Sequence, residues 1–168
     1  VCVWHGLASG ELAALGRGAA AIDPADVAAV ARLRRSHSAD EVRAALQLAE
    51  GRRRLAGKVD DPGRWLADSD GAQMATHRMV AAHKASRFAA MGGGTPVVDV
   101  CSGIGADAHE LARPCYVRCV EIDPCRAVMC GHNTGCVVEQ RAAAEIDVGG
   151  SLVHSDPARR GGSGRVTR

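Results

Sequence analysis

The chain has 168 residues, a formal net charge of +2 and four aromatic residues (Trp4, Trp65, Phe88 and Tyr116), so it fits one domain, or a small domain with an appendage, whose core is built from alanine, valine and leucine. No run of about 18 apolar residues exists and the N-terminus lacks a basic-then-apolar pattern, so neither a helical membrane span nor a secretory signal is indicated and a cytoplasmic protein is the default expectation. Val1 is not methionine and the sequence begins abruptly, as a fragment or a processed product would.

Residues 1–64 read as helical. Asp23-Pro24 offers an N-cap with proline at the first helical position, and Val27, Val30 and Ala31 keep a helical period to about Arg35. Ser38-Ala39-Asp40-Glu41 has the form of a capping box, in which hydroxyl and carboxylate each satisfy a free backbone donor; Val42, Ala45, Leu46 and Ala49 continue one apolar face. Arg52, Arg53, Arg54 and Lys58 close that helix. They suit either nucleic-acid contact or the negative end of the macrodipole, and the second reading is preferred.

Asp60-Asp61-Pro62-Gly63 and Ser69-Asp70-Gly71 read as turns, with Trp65-Leu66 anchoring the linker between them. From Ala72 to Met91 the spacing of Met74, Ala81, Ala85 and Phe88 predicts one amphipathic helix, stopped by Gly92-Gly93-Gly94 and covering the site that follows. Val97, Val98 and Val100 then form a β-branched run with Asp99 inside it. Gly103 and Gly105 allow a tight turn, and Ala106, Ala108, Leu111 and Ala112 continue as helix.

Arg113-Pro114 breaks that helix, and Tyr116 to Ile122 forms a second strand with Glu121 at its carboxyl end. Asp123 sits where the N-cap of the next helix belongs, ahead of Pro124, and Asn133-Thr134-Gly135 ends that helix. Cys136 to Val138 is a short third strand. Ser151 to Ser155 is a fourth, delivering Asp156-Pro157-Ala158-Arg159-Arg160 at its end.

An acid inside the first strand, a glycine turn and an acid ending the second strand resemble the S-adenosylmethionine (SAM) site of class I, Rossmann-like methyltransferases, whose first motif is commonly Asp-x-x-x-Gly-x-Gly. The resemblance implies an α/β fold, a partial parallel sheet with an all-helical N-terminal region over 1–64 and a SAM-binding core over 65–168. It also implies a cofactor site drawn from Asp99, Cys101, Ser102, Gly103, Gly105, Asp107, Glu121, Ile122 and Asp123, with Glu121 accepting from the ribose hydroxyls. Gln73-Met74-Ala75-Thr76, His83-Lys84-Ala85-Ser86-Arg87-Phe88, Arg32-Leu33-Arg34-Arg35 and Asp-Pro-Ala-Arg-Arg at 156–160 are similar to motifs of a bacterial THUMP-like methyltransferase group. That likeness implies Asp156 and Pro157 at the methyl-transfer position, Arg159 and Arg160 beside the substrate, and RNA as the acceptor. The family core continues with further strands beyond the fourth, so the chain is expected to be truncated, and its activity is less secure than its cofactor binding.

Two other readings stay open. Gly103, Gly105 and Ala108 also mimic the Gly-x-Gly-x-x-Ala of a nicotinamide-binding oxidoreductase domain, with Glu121 as its ribose acid. A carboxylate at Asp99, just upstream of the turn, opposes a pyrophosphate and favours the cationic groups of SAM. The third reading is a decayed homologue that binds SAM without catalysis. Adenine recognition has no evident acid, because Arg141-Ala142-Ala143-Ala144 follows the third strand.

Five of the seven cysteines fall between Cys115 and Cys136, but only Cys115-x3-Cys119 approaches a zinc knuckle, so no metal is expected and the thiols read as reduced core residues. Cys101 reads as packed rather than reactive. The seven histidines show no ligand spacing and receive no site, with His109 read as a surface residue. Arg159, Arg160, Arg165 and Arg168 outweigh Asp156 in the last stretch, which suits a phosphate-bearing substrate or simple solubility.

Overall fold

The computed structural model describes residues 2–92 and 94–157, with the backbone alone of 160–161 and 164–165. Val97–Val100 forms β1, buried along its whole length, as a central strand of a parallel sheet must be when both faces are covered. It pairs in parallel with β2 (Val117–Val120) on one side and β4 (Leu152–Ser155) on the other, and β3 (Val137–Glu139) adds to β2. The order is β3-β2-β1-β4, so the strand order reverses between β1 and β4. Open α/β sheets hold ligands at such a reversal, outside the carboxyl ends of the strands.

Parallel neighbours need crossovers. Helix α7 (Ala106–Leu111) links β1 to β2, and α8 (Pro124–Thr134) links β2 to β3; residues 140–151 then cross to β4 with only a 3-10 turn at Ala143–Glu145. The expected α/β architecture with a partial parallel sheet is present. Asp156 follows β4, and β5 (Arg160–Gly161) and β6 (Gly164–Arg165) make a short antiparallel pair beyond it.

Among the described residues, five α-helices precede α6 (Arg78–Gly92). They are α1 (Trp4–Ser9), α2 (Ala13–Ala20), α3 (Val27–Leu33), α4 (Ala39–Leu55) and α5 (Ser69–Met74). The capping box on α4 forms as its sequence requires: Ser38 Oγ accepts from the Glu41 N–H, and Glu41 Oε2 accepts from the Ser38 N–H at 2.7 Å. Leu55 and Val42 are fully buried on its inner face, worth roughly 1.5–3 kcal/mol each over an exposed position. The largest core cluster joins Trp4, Leu48, Leu55 and Trp65 to Ile104 and Met129, so the N-terminal helices and the sheet helices share apolar contacts.

Four local expectations change. The helix expected from Pro24 starts at Val27, because Asp26 rather than Asp23 holds the capping geometry; Asp26 Oδ1 accepts from the Ala29 N–H at 2.9 Å, and Asp23 only closes a turn onto Ala25. Ser69-Asp70-Gly71 is the first turn of α5, capped by Asp68. The helix expected over 72–91 is broken, since α5 ends at Met74, Ala75 turns to an extended ψ of 130°, and α6 starts anew over Arg78–Gly92. Only Ala81 and Ala85 of α6 are buried, while Met79 and Val80 face outward, so its apolar pattern was not one stripe. Finally, the cysteines are not all reduced: Cys2 and Cys125 form a disulfide between the start of the chain and α8.

Candidate functional site

β1 ends at Val100, and three of the next five residues take positive φ: Cys101 at 63°, Gly103 at 57° and Gly105 at 86°. Glycine adopts that conformation without the Cβ penalty; cysteine does not, so Cys101 is a strained position of the kind held by its surroundings. The turn is fixed from both sides. Ser102 donates its N–H to Val120 O at 3.0 Å, and Gly105 donates to Ser102 O at 2.9 Å. A Cβ on Gly105 would lie 2.7 Å from Thr134 Cγ2 and 3.1 Å from Cys130 Sγ, so α7 can approach α8 this closely only at a glycine. Beside Gly103 there is open space: among the described residues, no atom beyond its chain neighbours lies within 4 Å of where a Cβ would sit.

Glu121 directly follows β2 and reaches across to this turn. Its Oε2 accepts from the Gly103 N–H at 2.7 Å and its Oε1 from the Asp123 N–H at 2.9 Å, with the residue 7% exposed. Asp123 caps α8, accepting from the Cys125 and Arg126 N–H groups at 2.8 and 2.9 Å. Ile122, between the two acids, is 66% exposed.

The acid inside β1 has a partner that its motif does not reveal. Asp99 lies opposite His154 in the β1–β4 register, and Asp99 Oδ1 is 2.6 Å from His154 Nδ1. Burial pushes the Asp99 carboxyl above its usual range, with the His154 hydrogen bond opposing that shift. The same hydrogen bond raises His154, against the effect of its own burial. Phe88 of α6 packs edge-on against the imidazole, with centroids 5.9 Å apart. Asp99 Oδ2 and Ser102 Oγ are buried without a hydrogen-bond partner among the described residues, and buried polar atoms in folded proteins are rarely left so.

Asp107, in the first turn of α7, is held from α6 and its approach. Thr76 Oγ1 donates to Asp107 Oδ2 at 2.8 Å, and Lys84 Nζ pairs with Asp107 Oδ1 at 2.9 Å. Lys84 Nζ also lies 3.8 Å from Asp156 Oδ2, so one ammonium bridges the acid of α7 and the acid beyond β4. Asp156 and Pro157 are exposed at the carboxyl edge of the sheet. Arg159 lies outside the described residues, and of Arg160 only the backbone, in β5, is described.

Asp99, Cys101, Ser102, Gly103, Gly105, Asp107, Glu121 and Asp156 therefore converge at one edge, the carboxyl ends of β1, β2 and β4. Asp123 and Ile122 stand beside it as a helix cap and an exposed side chain. Sequence reasoning passed over Lys84, Thr76 and His154. The first two lie inside the quoted 73–88 motifs; His154, two residues before Asp156 on one strand, was missed because its partner is set by strand register. His109, expected at the surface, is half-buried, with Nδ1 2.9 Å from Asn133 O and its ring against Trp65.

The basic residues closing α4 are used locally. Lys58 Nζ donates to the Ala72, Gln73 and Ala75 carbonyls at the end of α5, Arg52 Nε donates to Trp65 O, and Arg53 and Arg54 pair with Glu50. Among the described residues no group of three or more histidine, cysteine, aspartate or glutamate side chains is arranged to hold a metal ion, and no helix is long and apolar enough to cross a membrane. Comparison with family models, curated proteins and solved structures returned no match for this chain.

Proposed function

We propose that this chain is a SAM-dependent methyltransferase domain acting on RNA or another nucleic-acid-related acceptor. The observation that carries the reading is the convergence of Asp99, the Gly103–Gly105 turn and Glu121 on adjacent strand ends, with Asp156 delivered to the same edge across the strand-order reversal.

The residues present fit the cofactor. Asp99 Oδ2 and Ser102 Oγ are buried acceptors lacking a donor among the described residues, and an ammonium group would supply one to each. Glu121 uses one lone pair of each oxygen on the backbone, which leaves acceptor capacity for ribose hydroxyls. Open space beside Gly103 allows a ligand to approach the backbone. Asp99, Asp107, Glu121, Asp123 and Asp156 outnumber Lys84, Arg126 and His154 here, a balance that favours a cationic ligand over a pyrophosphate.

When bound, SAM supplies an electrophilic methyl group on a sulfonium. The chain's own work is to orient and to move a proton. Glu121 and the turn fix the cofactor end. Asp156, half-exposed at the strand edge and steered by Lys84, holds the acceptor atom and takes its proton.

Incubation with methyl-labelled SAM and total RNA tests the reading. Label should enter RNA with the native chain and fall by two or more orders of magnitude with Asp156→Ala. Label that enters equally with the variant, or not at all with either, speaks against methyl transfer at this edge.

A further inference from the structure

Asp99 and His154 lie opposite each other on the paired strands β1 and β4, and both are buried. The carboxylate is used on one side only. His154 Nδ1 is 2.6 Å from Asp99 Oδ1, whereas Asp99 Oδ2 is buried with no partner among the described residues, and Ser102 Oγ in the glycine turn is left the same way. A carboxylate withdrawn from water needs a positive partner, because an isolated buried charge is costly. Lys84 is engaged elsewhere: its Nζ is 2.9 Å from Asp107 Oδ1 and 3.8 Å from Asp156 Oδ2, so two acids already face its one charge. In the free chain the cation that matches Asp99 is therefore the His154 imidazolium.

We propose that ligand binding at this site is coupled to the release of a proton from His154, with the ammonium group of the cofactor replacing the imidazolium as the cation that matches Asp99. The inference rests on the reading of the site as one for SAM. The ammonium donates to Asp99 Oδ2; the Nε2–H bond of His154 breaks and its proton passes to water, while Nδ1–H stays on Asp99 Oδ1. The site holds a carboxylate and one cation before and after, so the buried charge is unchanged. His154 is a positioning residue, since it touches Asp99 and not the ligand.

The surroundings agree with that exchange. His154 is raised chiefly by its hydrogen bond to Asp99, and its own burial opposes. The other charged groups that face it are Asp107 of α7, which raises it, and Lys84 of α6, which lowers it. On its remaining side Phe88 of α6 packs edge-on, an apolar neighbour that gives a charged ring nothing to bind. A second cation on Asp99 weakens the attraction that keeps the imidazolium charged, and burial then favours the neutral ring.

The sign follows from linkage. A ligand that expels a proton binds more tightly as pH rises, with an association constant that increases by up to about tenfold per pH unit until His154 of the free chain is neutral and is level above that. A ligand of the same nucleoside without an ammonium group expels nothing.

The test is calorimetric titration of the full chain with S-adenosylhomocysteine at pH 6.5, in two buffers of different ionisation heat, repeated with 5'-methylthioadenosine, which keeps the nucleoside and thioether but lacks the ammonium. The buffer dependence should show release of roughly half a proton or more per S-adenosylhomocysteine and none for 5'-methylthioadenosine. In ring-nitrogen NMR, His154 should titrate above 6.5 in the free chain and move down when S-adenosylhomocysteine is added. His154→Gln, which keeps a donor for Asp99 but no titrating proton, should abolish the release and level the pH dependence of affinity. S-adenosylhomocysteine bound without proton release, equal release with both ligands, or release unchanged in folded His154→Gln would each overturn the coupling while leaving the SAM site standing. Absence of S-adenosylhomocysteine binding at every pH would overturn both. The native chain with the two ligands decides the matter even if the variant does not fold.

Discussion

Asp99 and His154 face each other across two parallel strands with Oδ1 and Nδ1 2.6 Å apart, and the pair is almost wholly withdrawn from water. Both groups hold protons more tightly than usual, Asp99 through burial and His154 through the hydrogen bond it donates to the Asp99 carboxylate. A raised folded-state pKa means that the native chain binds more protons than the unfolded one, so stability falls as pH rises. For His154 the contribution is fully present below 6.5 and is lost through the raised folded value above it. The urea midpoint should therefore decrease from about pH 6.5 upward, and His154→Gln should flatten that decrease. A native midpoint that is level across this window would contradict the assignment.

Gly105 and Gly103 separate backbone strain from crowding. Alanine at either position pays about 1–2 kcal/mol for the left-handed backbone. Only at Gly105 does the added Cβ also meet Thr134 and Cys130, an overpacking cost of roughly 1–3 kcal/mol more. Denaturant titration should rank Gly105→Ala well below Gly103→Ala in stability. Equal losses would show that the close approach of α7 to α8 is relaxed in solution.

Asn133, in the last turn of α8, links three segments. Its Nδ2 donates to Leu66 O at 2.8 Å and Ile104 O at 2.9 Å, and its Oδ1 accepts from the Leu66 N–H at 2.8 Å. At about 0.5–1.5 kcal/mol per bond, Asn133→Ala should cost about 2–4 kcal/mol in thermal or urea unfolding. A loss below about 0.5 kcal/mol would mean that water replaces these bonds without penalty.

The strands, the glycine turn and the α4 cap were legible because each depends on neighbours in sequence: valine runs, Gly103 and Gly105, Ser38 with Glu41. Boundaries failed where two local signals competed. Asp23 and Asp26, three positions apart, are both of the residue type that caps helices, but Asp26 accepts from the Ala29 N–H while Asp23 closes a turn onto Ala25. The break at Ala75–His77 was hidden because Met74, Ala81 and Ala85 keep a helical period across it. The polar network of the site was illegible for another reason: Asp99–His154 is separated by 55 residues and Lys84–Asp107 by 23, and each pair is set by register or helix packing. The Cys2–Cys125 pairing, across 123 residues, is of the same kind.

Calorimetric titration of the folded chain with S-adenosylhomocysteine, and separately with NAD, tests the central claim most directly. The account predicts binding of S-adenosylhomocysteine in preference to NAD, with a loss of about 1–3 kcal/mol in Glu121→Ala, where the ribose would lose a charged acceptor. Gly103→Ala, whose Cβ projects into the open space beside the turn, should fold and bind more weakly. Tighter binding of NAD, or an S-adenosylhomocysteine affinity unchanged in both folded variants, would contradict the account.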